Sequence, residues 1–112
     1  MTSQIDMNTF NSLKESTGAD FINELIDAFL DDTPNLITQL RSALSTKNAE
    51  SFRRAAHSMK SNAATFGAME LSTLAKELES LGRENNLEIG SRLDVMEETF
   101  RQVEKQLKTL KS

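Results

Sequence analysis

His57 is the only histidine in the chain. It lies in the run Ala56-His57-Ser58-Met59-Lys60-Ser61-Asn62-Ala63-Ala64-Thr65-Phe66-Gly67-Ala68. At helical spacing Phe52, Ala56, Met59, Ala63 and Phe66 share one face, and His57 points well away from it. A core therefore has no need of this imidazole. Lys60 follows one turn later on the same side, with Ser61 one turn on and Ala64 two turns on. Free imidazole titrates near pH 6.5, so a good share is neutral and nucleophilic at about pH 7. The run thus joins a nucleophile, a neighbouring cation and small residues that leave space above the ring. That set suits attack on an electrophile carried by another molecule. Lys60 would offset the charge of a transferred anion, an effect of about 1–3 kcal/mol for a charge-assisted hydrogen bond. By position alone, His57 is equally consistent with an exposed helix histidine that has no role.

The elements that must hold these residues read as five helices and no strands. A short helix spans about Met7 to Ser16, with Asp6 as N-cap and Gly18 as its break. A long one follows from about Asp20 to Ser45, with apolar positions Phe21, Ile22, Leu25, Ile26, Phe29, Leu30, Leu36, Ile37, Leu40 and Leu44. Pro34 removes one backbone hydrogen bond there and is expected to kink it. Lys47-Asn48 forms a turn, Asn48 caps the His57 helix, and Gly67 ends it in a left-handed conformation. The fourth helix is expected over about Met69 to Leu81, with Gly82 and Asn85-Asn86 punctuating its end. The fifth begins near Leu87. Its residues Ile89, Leu93, Met96, Phe100, Val103, Leu107 and Leu110 keep an unbroken 4-3-4-3-4-3 spacing, the narrow seam of an antiparallel bundle or coiled coil. Together these predict an all-α, up-and-down antiparallel four-helix bundle, with the short N-terminal helix across one end. Met59, Met69 and Met96 are expected in the core. Asp31-Asp32 and Glu97-Glu98, being adjacent, diverge on their helices and belong to the surface.

Composition narrows the classes of function. The 112 residues suit one domain, 1–112, with 38% hydrophobic and 27% charged residues, no Trp or Tyr, one Pro and four Gly. No cysteine is present, which excludes thiol catalysis, disulfides and Cys-based metal sites. One histidine without clustered carboxylates makes a structural zinc site improbable. No Gly-rich phosphate loop offers a way to use ATP. No apolar run approaches the ~20 residues needed to cross a bilayer, and the N-terminus lacks a secretory signal, so a cytoplasmic protein is expected. A net charge of −4 disfavours nucleic acid as a partner. The basic residues nevertheless gather locally as Arg53, Arg54, Lys60 and Arg83, either as a solvated helix face or as a positive field around His57.

Three segments carry a family resemblance that spans nearly the whole chain from about Phe10. Ala56-His57, Met59-Lys60 and Gly67-Ala68 resemble the Ala-His-x-Leu-Lys-Gly…Gly-Ala pattern of histidine-containing phosphotransfer (HPt) domains of two-component phosphorelays. Ser61 stands where most members have glycine. Leu78-Glu79-Ser80-Leu81-Gly82-Arg83 is similar to the family segment ending in Leu-Gly-Arg, and Phe29-Leu30-Asp31-Asp32-Thr33-Pro34 to its second helix. The resemblance implies that His57 accepts a phosphoryl group from one receiver aspartate and donates it to another, as a phosphoramidate, without autonomous kinase activity. It implies support of that group by Lys60 and, from the neighbouring helix, Arg83, with Ser61 and Ala64 allowing close approach and docking. Counting residues back from Gly67, Arg83 is expected to overshoot His57 by up to a turn or two. Glu79 could hold the imidazole N–H but would repel the phosphoryl group, which leaves its role open. The implied partners are response-regulator receiver domains and a hybrid histidine kinase, with no nucleic acid and no membrane. The chain is expected to be a monomer that binds no cofactor, Mg²⁺ residing on the receiver. A competing reading is a non-catalytic helical interaction module whose last helix pairs with another chain. A small helical enzyme is poorly supported.

Overall fold

The computed structural model describes residues 4–111. Within them the chain forms α1 (Met7–Thr17), α2 (Ala19–Ser45), α3 (Ala49–Thr65), α4 (Met69–Arg83) and α5 (Arg92–Leu110), with no strand. The caps expected from the sequence are in place. Asp6 accepts the Asn8 N–H at 3.2 Å, and Asn48 accepts the Ser51 N–H at 3.0 Å. Lys47 takes a positive φ of 56° in the turn before Asn48. The architecture is an antiparallel four-helix bundle of α2 to α5, and α1 packs on α2 and α3.

One core runs through all five helices. Ile26, Leu40, Phe52, Met59, Leu71, Leu78, Met96, Val103 and Leu107 are fully enclosed. Phe29 links three helices, its ring 5.0 Å from Phe66 and 6.0 Å from Phe100. The α5 seam faces this core. Leu93, Met96, Phe100, Val103 and Leu107 are buried, and Leu110 is half-buried at the end.

Gly67 joins α3 to α4. Its φ of +79° favours glycine. A Cβ there would also lie 2.8 Å from the Asp6 carbonyl oxygen. That contact is part of a strap: the Asp6 N–H donates to the Gly67 carbonyl at 2.8 Å, and the Gln4 N–H donates to Gln106 Oε1 at 2.9 Å. The segment before α1 thereby ties the α3–α4 turn to α5.

Helix α2 is one helix through Pro34, as its expected span required; Pro34 is exposed, and the buried Thr33 hydroxyl donates to the Phe29 carbonyl at 2.7 Å. Other expectations are corrected. Helix α4 extends to Arg83, with Gly82 buried inside it instead of ending it. Helix α5 starts at Arg92, not near Leu87, and Ile89 joins the core from the preceding loop. Met69 and Phe21, expected in the core, are about half exposed. Met69 is the first residue of α4 and Phe21 lies in the first turn of α2, where the bundle ends and no partner helix covers them.

Candidate functional site

The site is built on the pairing of α3 with α4, the most extensive helix contact in the protein. Two features bring these helices close. Gly82 lies against Arg53, and a Cβ at Gly82 would sit 3.2 Å from Arg53 Cα, Cβ and backbone nitrogen. Nearer the turn, the Ser72 hydroxyl donates to the Lys60 carbonyl at 3.1 Å. Between these two contacts, Glu79 on α4 faces His57 and Lys60 on α3.

The Glu79 side chain is only 4% exposed, while His57 is 55% and Lys60 30% exposed. His57 Nδ1 is 2.6 Å from Glu79 Oε2, and Lys60 Nζ is 2.7 Å from Oε1. Arg83 Nη2, one turn along α4, lies 3.5 Å from Oε2, at the outer limit of a hydrogen bond. Burial pushes the Glu79 carboxyl upward. The hydrogen bonds from Lys60 and His57, with their charges, outweigh it and hold the group below the usual carboxylate range. Glu79 is therefore ionised at neutral pH and can only accept hydrogen bonds. It follows that Nδ1 of His57 carries the hydrogen and that, in the neutral ring, Nε2 holds the free lone pair.

His57, Lys60 and Arg83 thus converge, but on Glu79 rather than directly on one another. The expected overshoot of Arg83 does not keep it away, because the arginine reaches back along its own helix. Ser61 and Ala64 are exposed on α3 beyond His57. Arg53 and Arg54 share one carboxylate: Arg53 Nη2 lies 2.6 Å and Arg54 Nε 3.0 Å from Glu50 Oε1, which offsets one of their two charges.

Sequence reasoning left Glu79 without a role. A signal was nevertheless present, since Glu79 falls four and eight residues after Ala75 and Leu71 on the apolar stripe of α4. A carboxylate on a buried stripe must find cationic or hydrogen-bonding partners. His57 and Lys60 are the partners that α3 supplies.

Comparisons with known proteins bear on the family and the fold. The family model of the Hpt domain matches residues 24–112. The fold superposes with a TM-score of 0.93 on the crystal structure of histidine-containing phosphotransfer protein B (HptB) from Pseudomonas aeruginosa PAO1. The two chains are 28% identical, over 99% of this chain and 96% of that one. Comparison with curated protein sequences yields no significant match.

Proposed function

The chain belongs to the Hpt domain family, and on that premise we propose that His57 is its phosphoacceptor. The protein is a phosphocarrier in a phosphorelay. The observation that carries the assignment of His57 is its hydrogen bond to the buried Glu79, made by a ring that is itself more than half exposed. One nitrogen is anchored and the other is left free for a visiting protein.

In the proposed step, the Nε2 lone pair attacks the phosphorus of a receiver's aspartyl phosphate. The N–P bond forms as the P–O bond to the aspartate breaks, and the aspartate leaves as a carboxylate. Nδ1 keeps its hydrogen, so the ring gains positive charge, which the ionised Glu79 offsets. The reverse step passes the group to a second receiver. Lys60 and Arg83 neutralise Glu79 in the resting state, and both reach solvent on long side chains, so each can turn toward the phosphoryl oxygens. Ser61 and Ala64, being small, let the receiver approach.

The partners on this reading are receiver domains and a hybrid histidine kinase, the receiver bringing Mg²⁺ and this chain no cofactor. The carrier acts as a monomer in the cytoplasm and does not phosphorylate itself. No described helix is long and apolar enough to cross a membrane. The interaction-module reading rested on the α5 seam, and that seam is spent inside the bundle.

Incubation with a phosphorylated receiver domain tests the assignment. It should give an acid-labile, base-stable modification on His57, and none in His57→Gln, whose side-chain amide can still donate to Glu79 and whose cooperative melt should show that it folds. Equal phosphorylation of the variant would refute it.

A further inference from the structure

Lys60 and Glu79 lie on one flank of His57, and the opposite flank has its own polar group. Successive residues of α3 are rotated by about 100°, so Lys60 lies roughly 60° to one side of His57 and Ser61 roughly 40° to the other. Nδ1 is turned toward Glu79 and the Lys60 side. Nε2, across the ring from the anchored Nδ1, faces away from Glu79, and Ser61 is the polar residue on the flank opposite Lys60. Helical side chains lean toward the N-terminus, so the Ser61 hydroxyl tilts back toward the turn that carries His57. Cβ atoms four residues apart are about 5–6 Å from each other, which a phosphoryl group on the ring can bridge. Ser61 is exposed; Thr65 uses its carbonyl, at 3.0 Å, and among the described residues nothing engages its hydroxyl. Arg54, the cation on the same flank, leans the other way and is held by Glu50 at 3.0 Å.

We propose that the Ser61 hydroxyl donates a hydrogen bond to the phosphoryl group as it forms on Nε2, making Ser61 a phosphoryl-binding residue and not only a small one. The inference rests on His57 being the phosphoacceptor. It gives the resting site two sides. Glu79, itself held by Lys60 and Arg83, anchors Nδ1 on one side, and Ser61 meets the incoming group on the other.

The test uses phosphoramidate as a small phosphodonor, which removes receiver docking from the measurement. Nε2 attacks the phosphorus, the N–P bond to ammonia breaks, and ammonia departs. The rate of His57 phosphorylation is followed by mass spectrometry in wild type, Ser61→Ala, Ser61→Thr and His57→Gln. Alanine favours helix more than serine does, so the fold should hold, and thermal melts monitor it. We expect Ser61→Ala to be slowed about fivefold to tenfold, with Ser61→Thr, which keeps the hydroxyl, within twofold of wild type. An Ala variant as fast as wild type overturns the proposal. Equal slowing in both Ser61 variants also overturns it, since bulk or helix effects would then be responsible. Wild type modified no faster than His57→Gln overturns the phosphoacceptor assignment itself, and this inference with it.

Discussion

Two clusters of charge bind helices together, and they differ in one respect. Between α2 and α5, Arg41 meets Asp94 at 3.2 Å and also Glu97. Between α3 and α4, Lys60, His57 and Arg83 meet Glu79. In the first cluster the acids are open to water, Asp94 being 74% and Glu97 30% exposed. In the second, the acid is sealed in and the bases reach out. An exposed pair in water is screened and worth little. A carboxylate enclosed with its charge intact holds each donor to one direction, because no water can replace a lost partner. The first cluster is a surface clasp. The second fixes which nitrogen of an exposed imidazole carries the hydrogen and which keeps its lone pair.

If that contrast is right, Glu79→Ala should have the largest effect. Loss of the anchor frees the ring to choose its tautomer and removes the charge that offsets the phosphorylated ring. Transfer from a phosphorylated receiver should fall on the order of a hundredfold, and a rate within twofold of wild type would erase the distinction between the clusters. Lys60→Ala should come next, slowing transfer by about tenfold or more, with a smaller loss in Arg83→Ala because its contact with Glu79 is the longest of the three. Unchanged rates in both would show that neither cation supports the phosphoryl group.

Packing supplies a third test. Gly82→Ala places a Cβ 3.2 Å from the Arg53 backbone, so α3 and α4 must part slightly. A cost of about 1–3 kcal/mol is expected, together with slower transfer as the His57–Glu79 bond lengthens. Denaturant unfolding and transfer assays on the same sample check both. A fourth test is pH. The folded-state carboxyl of Glu79 lies below its ordinary value of about 4.3, so near that pH the unfolded state binds more protons. Its contribution to stability is complete above the unfolded value and is lost as pH falls through the lower folded value. Glu79→Gln should therefore show a flatter acid limb in melting temperature than wild type, and parallel limbs would contradict the shift. The smallest effect belongs to the clasp. Arg41→Ala should cost less than about 1 kcal/mol, lose that difference in high salt, and leave transfer unchanged.

The helices were legible because their signals are local. Asp6, Asn48 and Gly67 act through the nearest few residues, and the α5 seam repeats at the period of a helix whatever it packs against. The reach of local rules ended at the helix ends. Gly82 reads as a stop by composition, yet it lies inside α4 because a second helix presses on it. Met69 and Phe21 carry core-like side chains, but the bundle ends where they stand. At the site, His57, Lys60, Ser61 and Ala64 could be placed on one side of a single helix from spacing alone, since rotation per residue is a property of the helix itself.

Glu79 could not be assigned in that way. Its partners are separated from it by 22 residues in the case of His57, and spacing along a chain says nothing about contacts across a turn. The sequence by itself determined the helical class, the exposure of His57 and the presence of Lys60 beside it, all consequences of short-range geometry. The tertiary structure decided the rest. Whether an acidic residue on α4 is a solvated charge or an enclosed one depends on how closely two helices approach, and Gly82 against Arg53 sets that distance. Enclosure is a property of the assembled pair, and it converts an ordinary glutamate into the group that sets the tautomer of His57.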